Sequence, residues 1–432
     1  MMKTNSGIEG MKRTPRLGLR AVGLGALILL SAVMVQADTV LDWNVTALRT
    51  TAAAPFNPPV ESRNLAIVHA AMFDAVNSIV GEFRPYAVEL SARRGASPDA
   101  AAAAAAHFVL IQLYPAQQVM LDAAYAASLA LIRDGSAKTD GITVGEAVAS
   151  VILALRATDG ADAAINFPYS PGSQPGNWTP TPPAFRSALD PGWGTVRPFF
   201  LREGSQFRPG PPPALNSRQY ARDFNEIKDI GSAGSGTRTQ DQTDLARFWV
   251  ATAPQNWNPA ARQVAISQRL TLSQNARAFA LLNLAGADAF IASWDAKFTY
   301  NQWRPVTAIP AADTDGNPET TADSGWLPLL ATPPFPDYIA GHTTYAGAAE
   351  EVLEQVFGRH PGVMTLTSAS APGVIETYTT FDDIADGVVD ARVWGGIHWR
   401  TSSVKGKRVG EQIGNFAVRH FLKPKREHCD DN

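Results

Sequence analysis

A single cysteine, Cys429, occurs in 432 residues, so intrachain disulfides and cysteine-built metal sites are excluded. Charge of one sign is also missing: 37 Lys and Arg against 40 Asp and Glu leave a net charge of −3. With no basic stripe interleaved with aromatics, nucleic acid is excluded as a partner. Beyond the N-terminus there is no second long apolar run, which argues against a multi-span membrane protein. Strand-like alternation is scarce, and neither an internal repeat nor a dinucleotide-binding glycine motif is visible.

What is present begins with an export signal. Lys3, Lys12, Arg13, Arg16 and Arg20 precede an apolar run from Ala21 to Val35, and Val35-Gln36-Ala37 offers a small-x-small cleavage site before Asp38. The expectation is a signal peptide over 1–37 and a soluble mature chain in the periplasm or outside the cell. About 395 residues then remain, enough for a large core.

Helical periodicity recurs at 61–80, 98–133, 143–158 (opened by a capping box from Thr143 to Glu146), 217–230, 240–250, 260–270, 273–304, 342–358 and 404–421. The alanine run at 100–106, with Ser97 as cap and Pro98 in the first turn, reads as packing surface. A Pro/Gly/aromatic stretch from Phe167 to about residue 216 separates two helical halves. The fold class is therefore all-α. Its organisation is an N-terminal half at 38–216, a C-terminal half at 217–425 and a polar tail at 426–432.

Three clusters in the last third carry the chemistry: Lys297 and Arg304 in WDAKFTYNQWRP, Gly341-His342 in PPFPDYIAGHTT, and Arg392 and His398 in ARVWGGIHWR. Three permanent cations and two imidazoles suit a bound oxyanion. Seven helical residues return to within about 20° of the starting direction, so Lys297 and Arg304 are expected on one helix face, with Pro305 ending the helix. Taken alone, such a pair reads as a solvated face. His342 stands at the entrance of a helix whose free amides and positive dipole end would face the same anion. Arg392 and His398 fit one helix face poorly, so Gly395-Gly396 must bend the chain for both to reach one point.

Lys, six residues, Arg-Pro, a Pro-rich turn ending in Gly-His, then Arg, five residues and His: this order resembles the vanadium-dependent haloperoxidases and their relatives, the type 2 acid phosphatases. The gaps agree, with 31 positions from Pro305 to Pro336 and 50 from His342 to Arg392. Trp294, Phe335 and Trp399 add the aromatic positions of the chloroperoxidase-like branch, and the resemblance covers residues 288–402. It implies two helix bundles, with a vanadate or phosphate site in the C-terminal one. By the same resemblance His398 is the axial ligand of vanadate, or the nucleophile of a phosphatase. Lys297, Arg304 and Arg392 hold the equatorial oxygens with the Gly341 amide, and His342 is the acid/base group, poised near neutral pKa. Trp294 and Phe335 line the halide side. By the same resemblance the Pro-rich stretch packs over the mouth, with Trp178 or Trp193 bordering it; a rigid polyproline-like connector is the alternative reading of that stretch.

Two positions depart from the family pattern. Ala340 replaces the usual serine before Gly-His, a loss worth about 1–3 kcal/mol of anion binding. Ser402 stands four after His398, where aspartate is frequent, so a carboxylate to orient the imidazole must come from elsewhere. Among the remaining residues Asp74 reads as a packing or capping residue, and Asp288 with Asp295 as a helix face. His69, His107, His360, His420 and His428 carry no chemical assignment. The resemblance implies a vanadate-dependent haloperoxidase using hydrogen peroxide and halide. The alternatives are a soluble acid phosphatase acting on phosphate esters through a phosphohistidine, and a non-enzymatic oxyanion-binding protein.

Overall fold

A computed structural model describes residues 38–55 and 57–425. The expected signal peptide, the polar tail and Cys429 lie outside the described residues. Fourteen α-helices occur among them: α1 Thr39–Ala52, α2 Pro58–Val80, α3 Pro98–Leu113, α4 Gln118–Ala130, α5 Ser136–Arg156, α6 Ala161–Ile165, α7 Arg218–Ile230, α8 Gln240–Phe248, α9 Ala253–Gln268, α10 Leu272–Tyr300, α11 Pro305–Ala308, α12 Gly341–Phe357, α13 Phe381–Trp394 and α14 Arg400–His420. One antiparallel pair, β1 Met364–Thr367 and β2 Ile375–Tyr378, is the only sheet among the described residues. The all-α expectation is met.

Several helix ends differ from the sequence reading, each for a local reason. The helix expected over 98–133 breaks at Tyr114, because Pro115 pushes the residue before it out of the helical region; α4 starts afresh. Thr143 opens nothing: α5 begins at Ser136, and the Thr143 hydroxyl donates to the Thr139 carbonyl inside the helix. Helix α9 starts seven residues earlier than the expected 260, since Pro254 suits a first turn and Pro259 is accommodated inside. Helix α10 ends at Tyr300, where Asn301 turns left-handed at φ 50°. Lys297 and Arg304 therefore do not share a helix. Helices α1 and α13 were not anticipated.

Although no repeat is visible in the sequence, the two halves echo one another. Helices α2, α3 and α5 pack together as α10, α12 and α14 do, and α2 packs on α10 at the centre. In both trios a glycine seam brings the helices close. A Cβ at Gly141 or Gly145 of α5 would collide with the backbone of α3, and one at Gly406 or Gly410 of α14 with that of α12. The alanine run of α3, buried throughout, is the partner surface of the first seam, as expected. Asp74 of α2 and Asp288 of α10 each lie five residues after a buried polar side chain, His69 and Asn283. Each accepts three consecutive loop amides, from residues 86–88 and 199–201 respectively. Asp288 is thus a buried clasp rather than a helix face, whereas Asp295 pairs with Arg208 at 2.6 Å.

A buried polar chain staples the halves: Asn44 meets His69 at 2.9 Å and Asn258 at 2.8 Å, and Asn258 meets Asn283 at 2.9 Å. The described residues form one compact unit around this core. A smaller aromatic cluster of Tyr220, Phe224, Trp303, Trp326 and Trp399 sits beside it, and Trp399 donates to the Trp303 carbonyl at 3.1 Å. That bond ties the neighbours of Arg304 and His398 together. No described helix is long and apolar enough to cross a membrane.

Candidate active site

Lys297 lies in the last turn of α10 with its side chain fully buried. Its ammonium donates to the carbonyls of Pro336 at 3.0 Å and Asp337 at 2.8 Å. Arg304 follows the left-handed turn and adopts extended geometry (φ −90°, ψ 155°), as Pro305 requires. This returns its side chain to the same loop: Nε donates to the Phe335 carbonyl at 2.8 Å and Nη1 to that of Ile397 at 2.5 Å. Arg392 closes α13, and its Nη1 donates to the Trp249 carbonyl at 2.6 Å. After α13, Gly395 and Gly396 bend the chain, with Gly396 at φ 74°. His398 thereby reaches Arg304, with Nε2 and Nη1 3.0 Å apart. The structure brings Lys297, Arg304, Arg392 and His398 into one neighbourhood, with Gly341 and His342 facing it from the start of α12.

The charge balance decides what this neighbourhood can hold. All three cations are anchored by backbone carbonyls, which orient them without neutralising them. One fully buried carboxylate, Asp337, stands among them, 3.9 Å from Arg304 and 3.3 Å from His398 Nδ1. Two positive charges remain in excess. Arg304 Nη2 and Arg392 Nε are buried donors without a protein partner. Buried charge and orphaned donors are costly unless satisfied, so this constellation fits an anion with several acceptor oxygens.

Titration behaviour follows the same logic. Burial, reinforced by Arg304, holds Lys297 well below the ordinary lysine range. Burial pushes Arg304 down to about 10 and, with Arg304 beside it, Arg392 down to about 9. Burial lifts the Asp337 carboxyl to about 6 against the pull of Arg304 and Lys297. His398 is held well below its usual range by burial and then by Arg304. Burial and then Arg392 push His342 down to about 3. His342 is therefore not poised near neutrality in this pocket, as the sequence reading expected: it is a neutral base until negative charge arrives. Its Nε2 lies 3.1 Å from the Ala251 carbonyl, which can only accept, so Nδ1 keeps the lone pair.

Gly341 begins α12 behind Ala340, whose side chain provides no cap. A Cβ on Gly341 would lie 3.2 Å from Trp294 and 3.3 Å from Phe290, so glycine lets the helix start against the aromatic wall. A cavity of about 260 Å³ opens here, lined by Phe290, Trp294, Phe335, His342, Arg392 and His398 among others. Trp294 and Phe335 are in contact, with ring centroids 4.8 Å apart. The indole N–H of Trp294 is already committed to the Leu189 carbonyl at 3.2 Å, so this residue offers the cavity an apolar face. Trp178 and Trp193 do not border the mouth. Both are buried in the core, and Arg186 and Leu189 of the same Pro-rich stretch line the cavity instead.

Sequence reasoning missed Asp337, although it lies within the PPFPDYIAGHTT segment and Ser402 indicated that a carboxylate had to come from another place. It also missed the turn at Trp249 and Ala251, whose carbonyls hold Arg392 and His342; backbone acceptors leave no mark in residue type. No cluster of three or more His, Cys, Asp or Glu side chains suited to a metal cation occurs among the described residues.

Comparison with known proteins bears on the fold and the family. The family profile described as the VCPO second helical-bundle domain matches residues 277–426, a span that holds all six polar positions of the site. Vanadium chloroperoxidase from Curvularia inaequalis is 25% identical over an alignment spanning 407 positions that covers 75% of this chain and 66% of that protein. A bacterial vanadium-dependent iodoperoxidase of solved structure superimposes with a TM-score of 0.78 at 27% identity, covering 90% of this chain and 98% of its own. A holo-type bacterial vanadium-dependent chloroperoxidase gives 0.72 at 20% identity, over 88% and 97%, and shows the shared fold. Residues 277–426 thus carry the second helical-bundle domain of that family, and the chain as a whole is similar to vanadium-dependent haloperoxidases.

Proposed function

We propose that this protein is a vanadate-dependent haloperoxidase, converting halide, hydrogen peroxide and a proton to a hypohalous acid and water. The observation that carries the reading is the buried excess of positive charge with Arg304 Nη2 and Arg392 Nε left without protein partners. Lys297, Arg304, Arg392, the Gly341 amide and His398 would hold the anion, and phosphate, of similar charge and shape, would compete for the same residues. Bound vanadate supplies Lewis-acid activation of peroxide toward halide without a change of oxidation state.

The remaining work belongs to the chain. His398 presents Nε2, the atom facing Arg304. His342 takes a proton at Nδ1 from incoming peroxide and returns it to the departing oxygen. Trp294, Phe335 and Phe290 exclude water from one wall of the cavity and leave a weakly hydrated halide an apolar surface to approach. The basic and apolar N-terminal segment supports action after export, in the periplasm or outside the cell.

Hydrolysis of phosphate esters is the second reading. One observation favours it: a carboxylate behind Nδ1 of His398 is what a histidine nucleophile requires for activation. A paired assay on metal-stripped protein separates the two, following dye bromination with peroxide and bromide and hydrolysis of a chromogenic phosphate ester, each with and without orthovanadate. Bromination that appears only with vanadate establishes the haloperoxidase; ester hydrolysis blocked by vanadate, without bromination, overturns it in favour of the phosphatase.

A further inference from the structure

The placement of Asp337 carries an inference about how His398 is prepared for its ligand. Arg304 Nη1, which can only donate, lies 3.0 Å from His398 Nε2. Nε2 must therefore accept, and the single proton of a neutral imidazole resides on Nδ1. Facing Nδ1 at 3.3 Å is Asp337 Oδ1, within ion-pair distance though not aligned as a hydrogen bond, and neither atom has another partner.

The backbone that carries this carboxylate is held on both sides. The Asp337 N–H donates to the Gln302 carbonyl at 2.9 Å, and its carbonyl receives Lys297 Nζ at 2.8 Å and Ser402 Oγ at 3.2 Å. Segments on both sides of the site, the end of α10 and the start of α14, thus fix the loop residue. Ser402 supplies no carboxylate of its own and instead steadies the residue that does.

We propose that Asp337 is the positioning residue of the anion site: its carboxylate holds the proton on His398 Nδ1, so that Nε2 keeps its lone pair, engaged here by Arg304, for a tetrahedral oxyanion. The inference rests on the oxyanion-site reading above. Such a partner, one bond removed from the ligand atom, sets tautomer and ring orientation, and losing it weakens binding by about 10–100-fold. A carboxylate that merely balanced Arg304, 3.9 Å away, would leave the tautomer unchanged when replaced.

Two measurements on the full mature chain test this. ¹⁵N-histidine NMR, with the His398 signals identified by their loss in His398→Ala, reads the tautomer. Calorimetric titration with orthovanadate, and separately with inorganic phosphate, reads affinity. Wild-type His398 is expected to be protonated at Nδ1. In Asp337→Asn the carboxylate charge is gone and the amide can present its N–H₂ to Nδ1 in competition with Arg304 at Nε2, so the Nε2-protonated tautomer is expected to gain population and both anions to bind about 10–100-fold more weakly.

An Asp337→Asn protein that is folded, keeps the wild-type tautomer and binds either anion within twofold of wild type overturns the proposal. Should that variant fail to fold, the wild-type spectrum decides: a proton on Nε2, or an Nδ1 proton without the downfield shift of a hydrogen bond to carboxylate, sinks the idea, and a downfield-shifted Nδ1 proton upholds it. A wild-type protein that binds neither anion refutes the oxyanion-site reading, while the tautomer still reports separately on Asp337.

Discussion

The first helical trio and the second are built alike and end differently. In the N-terminal half α3 begins at Ser97, whose hydroxyl accepts from the Ala100 amide at 3.2 Å, and the seven residues from Ala100 to Ala106 are buried alanine. In the C-terminal half α12 begins at Ala340, which caps nothing, and continues with Gly341 and His342 facing a cavity. The first helix terminus is closed by its own sequence. The second leaves its first amides for something else. Packing makes the bundle, and a binding site arises where one helix end is denied an internal partner and surrounded by cations anchored only on carbonyls.

The comparison is broken most severely by removing a cation from one half. Arg304-Pro305 follows α10, and Arg84-Pro85 follows α2, but Arg304 is fully buried whereas Arg84 is exposed. Arg304→Ala is expected to cost about 3 kcal/mol of orthovanadate binding, on the order of 100-fold, since charge-assisted hydrogen bonds are the strong ones. Arg84→Ala should leave binding unchanged. Calorimetric titration of both proteins is the check, and a comparable loss in both would mean that overall charge, rather than the cage, holds the anion.

The glycine seams allow a finer cut. A Cβ at Gly145 would collide with the Ala101 carbonyl of α3, and one at Gly410 with the Thr344 carbonyl of α12. Gly145→Ala and Gly410→Ala are each expected to lower stability by about 1–3 kcal/mol through overpacking, measured by urea unfolding. Only Gly410→Ala should also weaken anion binding, because α14 carries the residues directly after His398 against the start of α12. Equal effects on binding would show that the two trios are not mechanically separate.

These contrasts also explain how much could be read in advance. The helical class followed from periodicity, and the cations and histidines from their order and spacing, since those signals reside in side-chain type. The relation between the halves did not: it survives in glycines four apart and in two aspartates that grip loops, with little shared identity around them. Asp337 was hidden because its role depends on where a Pro-rich loop lies relative to Arg392-to-His398, a long-range fact. Helix ends failed where proline or glycine carried opposite meanings, as at Pro259 inside α9 and Gly141 inside α5.

Two histidines, one from each half, sharpen the comparison through pH. Burial pushes both His69 and His342 down to about 3, with Arg262 adding to the first and Arg392 to the second. A folded-state value below the unfolded one means that each contributes stability fully present above about 6.5 and lost as pH falls toward 3. Only His342 opens onto the cavity, whereas His69 is sealed within the Asn44 and Asn258 network. Orthovanadate or phosphate is therefore expected to raise the His342 titration midpoint and leave that of His69 in place, followed by histidine NMR. A shift in both would point to a change of fold rather than to a local charge.

The smallest expected effect comes from giving α12 the terminus that α3 already has. Ala340→Ser places a hydroxyl at the N-cap, where it can accept from a first-turn amide and stabilise the protein by about 0.5–2 kcal/mol. That same hydroxyl can donate to a bound oxyanion. Both roles can coexist, because the hydroxyl accepts from an amide through its lone pair while its proton points at the ligand. The expected outcome is therefore a higher urea midpoint together with tighter orthovanadate binding. A gain in stability with unchanged affinity would mean that the serine only closes the helix end, as Ser97 does, and that the Gly341 amide meets the anion without its neighbour's help.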